Sequence, residues 1–146
     1  MSVHASFDIV LSGTHSNTNE LVQAFLDAGW SLHSPYLEGQ TNYLPLGDED
    51  CFDWCSSPLS SNELSELIHN KEQAHELIGL ELYWQQSNHG VILLIKNKLE
   101  FSILATINRR KTEQGFTDIN WYVAQLLETI QHLPSQIAFL NFVYSP

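Results

Sequence analysis

The chain has 146 residues, 43% of them hydrophobic, with 7 Phe, 5 Tyr and 4 Trp, which argues for one folded domain able to bury a core without disulfides or metal, and against a disordered segment. Only 16% of residues are charged, and 17 acids against 6 bases leave a net charge of −11. That balance argues against a phosphate-tracking nucleic-acid binder and against a ligand of anionic membranes, since both need clustered Lys and Arg.

The charge is unevenly placed. Residues 1–70 hold ten acids and no Lys or Arg, whereas residues 71–146 hold seven acids and all six bases, so the halves carry −10 and −1. One strongly negative surface is the expected result. The first residues show neither a basic nor an apolar signal region, and no apolar run approaches the roughly 18 residues that span a bilayer. With no secretory signal, Cys51 and Cys55 are expected as reduced thiols and the protein as cytoplasmic.

In chain order, Phe7–Ser12 reads as a strand with Phe7, Ile9 and Leu11 on one face, followed by a turn at Gly13-Thr14-His15-Ser16. Asn17 and Glu20 form a capping-box pattern that opens a helix carrying Leu21, Val22, Phe25 and Leu26 inward, with Gly29 placed to end it. Residues 30–60 have no sustained period and are rich in Ser, Gly, Pro and aromatics. An insertion of this length inside a compact domain is usually functional or disordered, and its aromatics favour function. Within it, Tyr43-Leu44-Pro45-Leu46 reads as a short strand. Ser60 and Glu63 make a second capping box, for a helix with Leu64, Leu67 and Ile68 on its stripe that ends near Asn70 or runs on through Glu72–His75.

Three strands follow as a meander: Ile78–Gln86, Val91–Ile95 and Leu99–Ile107, turned at Ser87-Asn88-His89-Gly90 and Lys96-Asn97-Lys98. The first puts Ile78, Leu80, Leu82 and Trp84 on one face; the third puts Leu99, Phe101, Ile103, Ala105 and Ile107 opposite Glu100, Ser102 and Thr106. A last helix spans about Asp118–His132, with Thr117 as its N-cap and Phe116 and Trp121 at the spacing of a hydrophobic staple. Ile119, Val123, Leu126, Ile130 and Leu133 recur along it at helical spacing. Pro134 stops it. Gln136–Tyr144 then reads as a strand apolar on both faces, hence an interior strand or a covered edge.

The order β-α-(loop-α)-β-β-β-α-β points to an α+β two-layer sandwich, a mostly antiparallel sheet of about five strands with helices packed on one face. Removing one meander strand and residues 30–75 leaves the ferredoxin-like order, so a variant of that fold is expected.

No motif names a reaction. There is no P-loop, nucleophile elbow or Gly-x-Gly-x-x-Gly. The acidic knot Gly47-Asp48-Glu49-Asp50-Cys51-Phe52-Asp53-Trp54-Cys55 lacks the alternating pattern of an EF-hand, so no metal and no other cofactor is expected. Two readings of it stand level. In one, its carboxylates steer a basic partner while Phe52 and Trp54 anchor it; in the other, it is a solvated acidic turn with both rings and the cysteines packed inward. Cys51 and Cys55 match neither a redox pair nor a zinc set and read as small buried hydrophobes. Arg109-Arg110-Lys111 reads as a solvated tip or an internal partner of the acidic loop.

The base-free first 70 residues and the Asp48–Asp53 knot with Phe52 and Trp54, in a small chain without a catalytic motif, resemble the immunity proteins of bacterial polymorphic and contact-dependent-inhibition toxin systems. That resemblance implies a non-enzymatic protein that binds one cognate toxin domain, commonly a basic nuclease, through an acidic surface. The residues that would carry binding are Glu38, Tyr43, Asp48, Glu49, Asp50, Phe52, Asp53 and Trp54. The competing class is a small-molecule-binding or enzymatic domain with a cleft lined by Trp30, Tyr36, Tyr43 and Trp54. A third is a homo-oligomer joined through an exposed strand edge.

Overall fold

A computed structural model describes residues 4–14, 17–85 and 87–145. Among these the chain is α+β, with an open antiparallel sheet of eight strands and three helices. The elements are β1 (His4–Gly13), α1 (Thr18–Asp27), β2 (Trp30–Ser31), β3 (Thr41–Tyr43), β4 (Cys55–Ser57), α2 (Ser61–Gln73), β5 (Ile78–Trp84), β6 (Gly90–Asn97), β7 (Glu100–Ile107), α3 (Ile119–Ile130) and β8 (Ser135–Ser145). Strand order is β4-β3-β5-β6-β7-β1-β8, with β2 paired to β5.

The sheet has more strands than the five expected. The additions, β2, β3 and β4, are two or three residues long and attach directly or in series to the outer edge of β5. Strands this short have no period to read; pairing with β5 makes them. The short strand anticipated at Tyr43–Leu46 lies slightly earlier, at Thr41–Tyr43. The expected turn residues His15 and Ser16 and the expected strand end at Gln86 lie outside the described residues.

The meander forms as its alternation implies. Ile78, Leu80 and Leu82 pair with Ile95, Leu93 and Val91, and Leu93 and Ile95 pair with Ile103 and Phe101. All are at most 5% exposed. β1 adds Ala5, Phe7, Ile9 and Leu11 to the same buried face. Buried residues of all three helices, among them Leu21 and Phe25 of α1, Leu64 and Ile68 of α2, and Tyr122 and Leu126 of α3, belong to the same core cluster. The helices therefore cover one face of the sheet.

Helix ends follow the capping chemistry in two cases. Asn17 Oδ1 accepts from Glu20 N, and Ser60 and Glu63 form the full capping box. Gly29, at φ +116°, takes the left-handed position after α1. Glu72 of α2 accepts from Thr18 N at 2.8 Å, tying the two helices at the start of α1. In α3 the N-cap is Asp118, not Thr117: Asp118 Oδ1 accepts from Trp121 N, while the buried Thr117 hydroxyl accepts from Arg109 Nη1 at 2.7 Å. Phe116 makes no staple; it is 61% exposed and packs on Tyr144.

The last strand differs most from expectation. β8 is not interior: among the described strands it pairs with β1 alone and forms the sheet's edge. Its register skips Ala138, since Val10 faces Phe139 and Leu11 faces Ile137. This bulge inverts the phase, so Ile137 before it and Leu140 and Phe142 after it all pack on the core. Phe139 and Val143 are left exposed on the opposite face. β7 and β8, joined through α3, flank β1 in the sheet.

Candidate functional site

Residues 44–54 lie at the end of the sheet opposite β8, between β3 and β4. Leu44 is 1% exposed, and its backbone N–H donates to Gly79 O at 3.0 Å. A Cβ on Gly79 would sit 2.7 Å from Leu44 Cγ and 3.0 Å from Trp54 Cη2, so the absent side chain is what lets Leu44 and Trp54 lie on β5.

From that anchor the acidic loop is built around one carboxylate. Asp48 is 9% exposed; its Oδ2 accepts from Phe52 N at 3.0 Å and its Oδ1 from Asp53 N at 2.9 Å. The Asp48 carbonyl accepts from Cys51 N. With these bonds closing the turn, Glu49, Asp50 and Phe52 adopt left-handed φ of 52°, 59° and 56°. That region costs an L-residue about 1–2 kcal/mol; Asp tolerates it, but Phe does so only when surrounding bonds hold it.

A second tie lies underneath. Gly47 N donates to Glu76 Oε1 at 2.8 Å, and the same oxygen lies 3.7 Å from Lys71 Nζ. Lys71 is 1% exposed and donates to Leu77 O at 2.8 Å. Burial pushes its pKa below the ordinary lysine value, opposed by the attraction of Glu76, Asp48 and Asp50. This cation is thus held inside, beneath the acids.

The outward face of the loop is Glu49, Asp50, Cys51, Phe52 and Asp53, all exposed, with Phe52 at 47%. This corrects the inward-packed reading: Phe52 faces solvent, and so does Cys51, while Cys55 is half-buried and neither thiol is bonded to another. Trp54 is half-buried. Tyr43, whose Cα pairs with that of Cys55, bonds Ser57 Oγ through its hydroxyl.

Of the eight residues singled out from the sequence, Asp48, Glu49, Asp50, Phe52 and Asp53 share this loop, and Tyr43 and Trp54 flank it. Glu38 lies elsewhere, in a turn closed by Gly39 N donating to Ser34 O. Asp48 is a positioning residue here, with both carboxylate oxygens engaged by the loop's own backbone. Glu76 and Lys71 were missed. Their signal was a lysine standing next on the inward stripe of α2 after Leu64 and Ile68.

The rings proposed to line a cleft are dispersed. Trp30 packs against Trp84 and Trp121 at 5.2 and 6.2 Å, while Tyr36 is 57% exposed and packs on Tyr83. Trp30 borders a 260 Å³ cavity between α1 and the start of α2 that the other three rings do not reach. The basic triplet is used locally: Arg110 lies 4.6 Å over the Trp121 ring, Arg109 bonds Thr117, and none of the three pairs with the acidic loop. Among the described residues no cluster of three or more His, Cys, Asp or Glu could hold a metal ion, and no helix is long and apolar enough to cross a membrane.

Comparison of the chain with family models, with curated proteins and with solved structures finds no match.

Proposed function

We propose that this chain is a non-enzymatic binding protein, an immunity protein that neutralises a cognate bacterial toxin domain by presenting an acidic loop to a basic surface, such as that of a nuclease. The observation that carries the reading is the exposed Phe52 ring flanked by the exposed carboxylates of Glu49, Asp50 and Asp53, on a backbone that Asp48 and Glu76 already hold in place. A preorganised loop loses little conformational freedom on binding. Its carboxylates raise the encounter rate with a cationic partner, and a central aromatic ring supplies affinity. The reducing cytoplasm is its proposed compartment, in keeping with the free Cys51 and Cys55. We read the frame of β1, β6, β7 and β8 as a ferredoxin-like variant, supported by β1 lying between two strands that α3 connects.

The test is binding to the purified C-terminal domain of the secreted protein encoded beside this reading frame. Changing Glu49, Asp50 and Asp53 to Lys, with Asp48 kept, should slow association about tenfold or more at low salt, and the difference should shrink as salt rises. Phe52→Ala should weaken affinity by about 2 kcal/mol, roughly thirtyfold, mainly through faster dissociation. Equal association rates and affinities for the wild type and the charge-reversed loop at low salt would remove the loop from the mechanism.

A further inference from the structure

The geometry points to β8 as a self-association strand: two copies of this chain join edge to edge through residues 136–145, antiparallel about a two-fold axis, into one continuous sheet with the acidic loops at its two far ends.

The two edges of the sheet are unequal. β4 is three residues long, too short to template a partner, whereas β8 has eleven residues, of which residues 136–145 pair, among the described strands, with β1 alone. Long edge strands are normally blunted by Lys, Pro or inward charges. β8 has none of these: Ser135–Ser145 contains no Asp, Glu, Lys, Arg, His or Pro. Its only irregularity is the bulge at Ala138, which leaves Phe139–Ser145 as seven residues in unbroken register with β1.

Charge selects a second copy as the occupant. Each chain carries −11, so two copies repel over most of their surface. β8 is a stretch where they can meet without opposing like charges. The nearest acid in the pairing register, Asp8, is one strand inward opposite Asn141 and accepts from Ser102 Oγ at 2.7 Å. Apolar side chains line both faces of the edge. Phe139 and Val143 are 57% and 38% exposed on the open face; on the other, Tyr144 at 37% meets Phe116 at 61% edge to face. A foreign basic protein would find no carboxylate on this strand to recognise.

Size sets the strength. Eleven residues extend about 37 Å, and a strip of that length covering both faces buries on the order of 1,000 Å² over the two copies. This is the lower end of specific interfaces, so the dimer is reversible and depends on concentration. Screening the repulsion tightens it, so added salt strengthens self-association while weakening a steered encounter at the acidic loop.

The experiment is sedimentation of the full chain over about a hundredfold concentration range spanning micromolar, at low and moderate salt. The expected result is a monomer–dimer equilibrium that salt shifts toward dimer, with backbone amides of residues 136–145 exchanging more slowly at high concentration. Phe139→Lys with Val143→Lys, which place like charges across the joint in both copies, should weaken it about tenfold or more. Ser56→Lys, on the exposed opposite edge, should leave it unchanged. Should the double variant fail to fold by circular dichroism, Val143→Lys alone and the exchange measurement decide. A monomer throughout, an open-ended polymer, a dimer indifferent to charge on β8, or protection confined to other residues would each overturn the assignment.

Discussion

The two ends of the sheet solve the same problem in opposite ways. At the β4 end the strands are short, and the chain between them is folded by side-chain bonds: Asp48 to two backbone amides, Glu76 to Gly47, Lys71 beneath. At the β8 end one long strand is held by its ladder to β1, with few side-chain bonds of its own. The first end is charged, and its exposed backbone adopts costly left-handed angles; the second is uncharged and extended. Individual polar groups decide the geometry of the first, whereas backbone approach decides the second. Substitutions should therefore act differently at the two ends.

The largest effect is expected at the β8 end. A Cβ on Gly13 would lie 2.5 Å from the Ser135 Cα, so Gly13→Ala must force apart the backbones that begin the β1–β8 ladder. A loss of about 3 kcal/mol is expected in denaturant unfolding, together with faster amide exchange in residues 135–137. Preserved exchange there would show that the ladder does not depend on this close approach.

A smaller effect, confined to the other end, is expected for Asp48→Ala. It leaves the amides of Phe52 and Asp53 without their acceptor, at a cost of about 1–3 kcal/mol. The loop should lose its fixed backbone, seen as faster exchange at residues 49–53 with β8 unchanged. Asp48→Asn, which keeps one oxygen acceptor, should fall between the two. Slowed association with the proposed basic partner would accompany the disorder, even though the three exposed acids Glu49, Asp50 and Asp53 and the Phe52 ring would be chemically intact.

The smallest effect is one of pH. Tyr83, 2% exposed, has its pKa raised to about 12, chiefly by burial, with Glu81 adding to the shift and the Ser34 hydroxyl opposing it. The unfolded chain ionises this phenol near pH 10, before the folded chain does, so its contribution is complete below pH 10 and is lost as pH rises toward 12. The effect shows only above pH 10 and is absent under the conditions of the other two tests. Tyr83→Phe should flatten that part of the alkaline unfolding curve measured by circular dichroism; an unaltered curve would assign the alkaline loss to other groups.

Alternation made β1 and β7 legible, because each buries one face and leaves the other more exposed; β5, buried at Gly79 and Tyr83 as well, was legible from Ile78, Leu80 and Leu82 alone. Caps made α1 and α2 legible for an equally local reason. The failures were contests between local patterns and distant partners. Thr117 is a good N-cap by type, yet Arg109 takes its hydroxyl and Asp118 caps instead. β8 is apolar on both faces, as its sequence says, yet it lies at the sheet's edge; its place in the sheet is set by partner strands that its own period does not record. In the loop, the clustering of acids with Phe52 and Trp54 was visible, but which carboxylate turns inward was not. That choice follows from where Gly47 meets Glu76, a residue 29 positions away.

The placement of β1 between β7 and β8 also has a consequence in time. The hairpins β5–β6 and β6–β7 close over only a few residues, whereas His4 meets Ser145 across almost the whole chain. Loop-closure entropy delays such pairings, and transition states favour the near ones. The first strand of the chain is consequently among the last to be enclosed. Until β8 arrives, β1 offers the growing sheet a free margin, so the order of assembly runs from the middle of the sequence outward to its two ends.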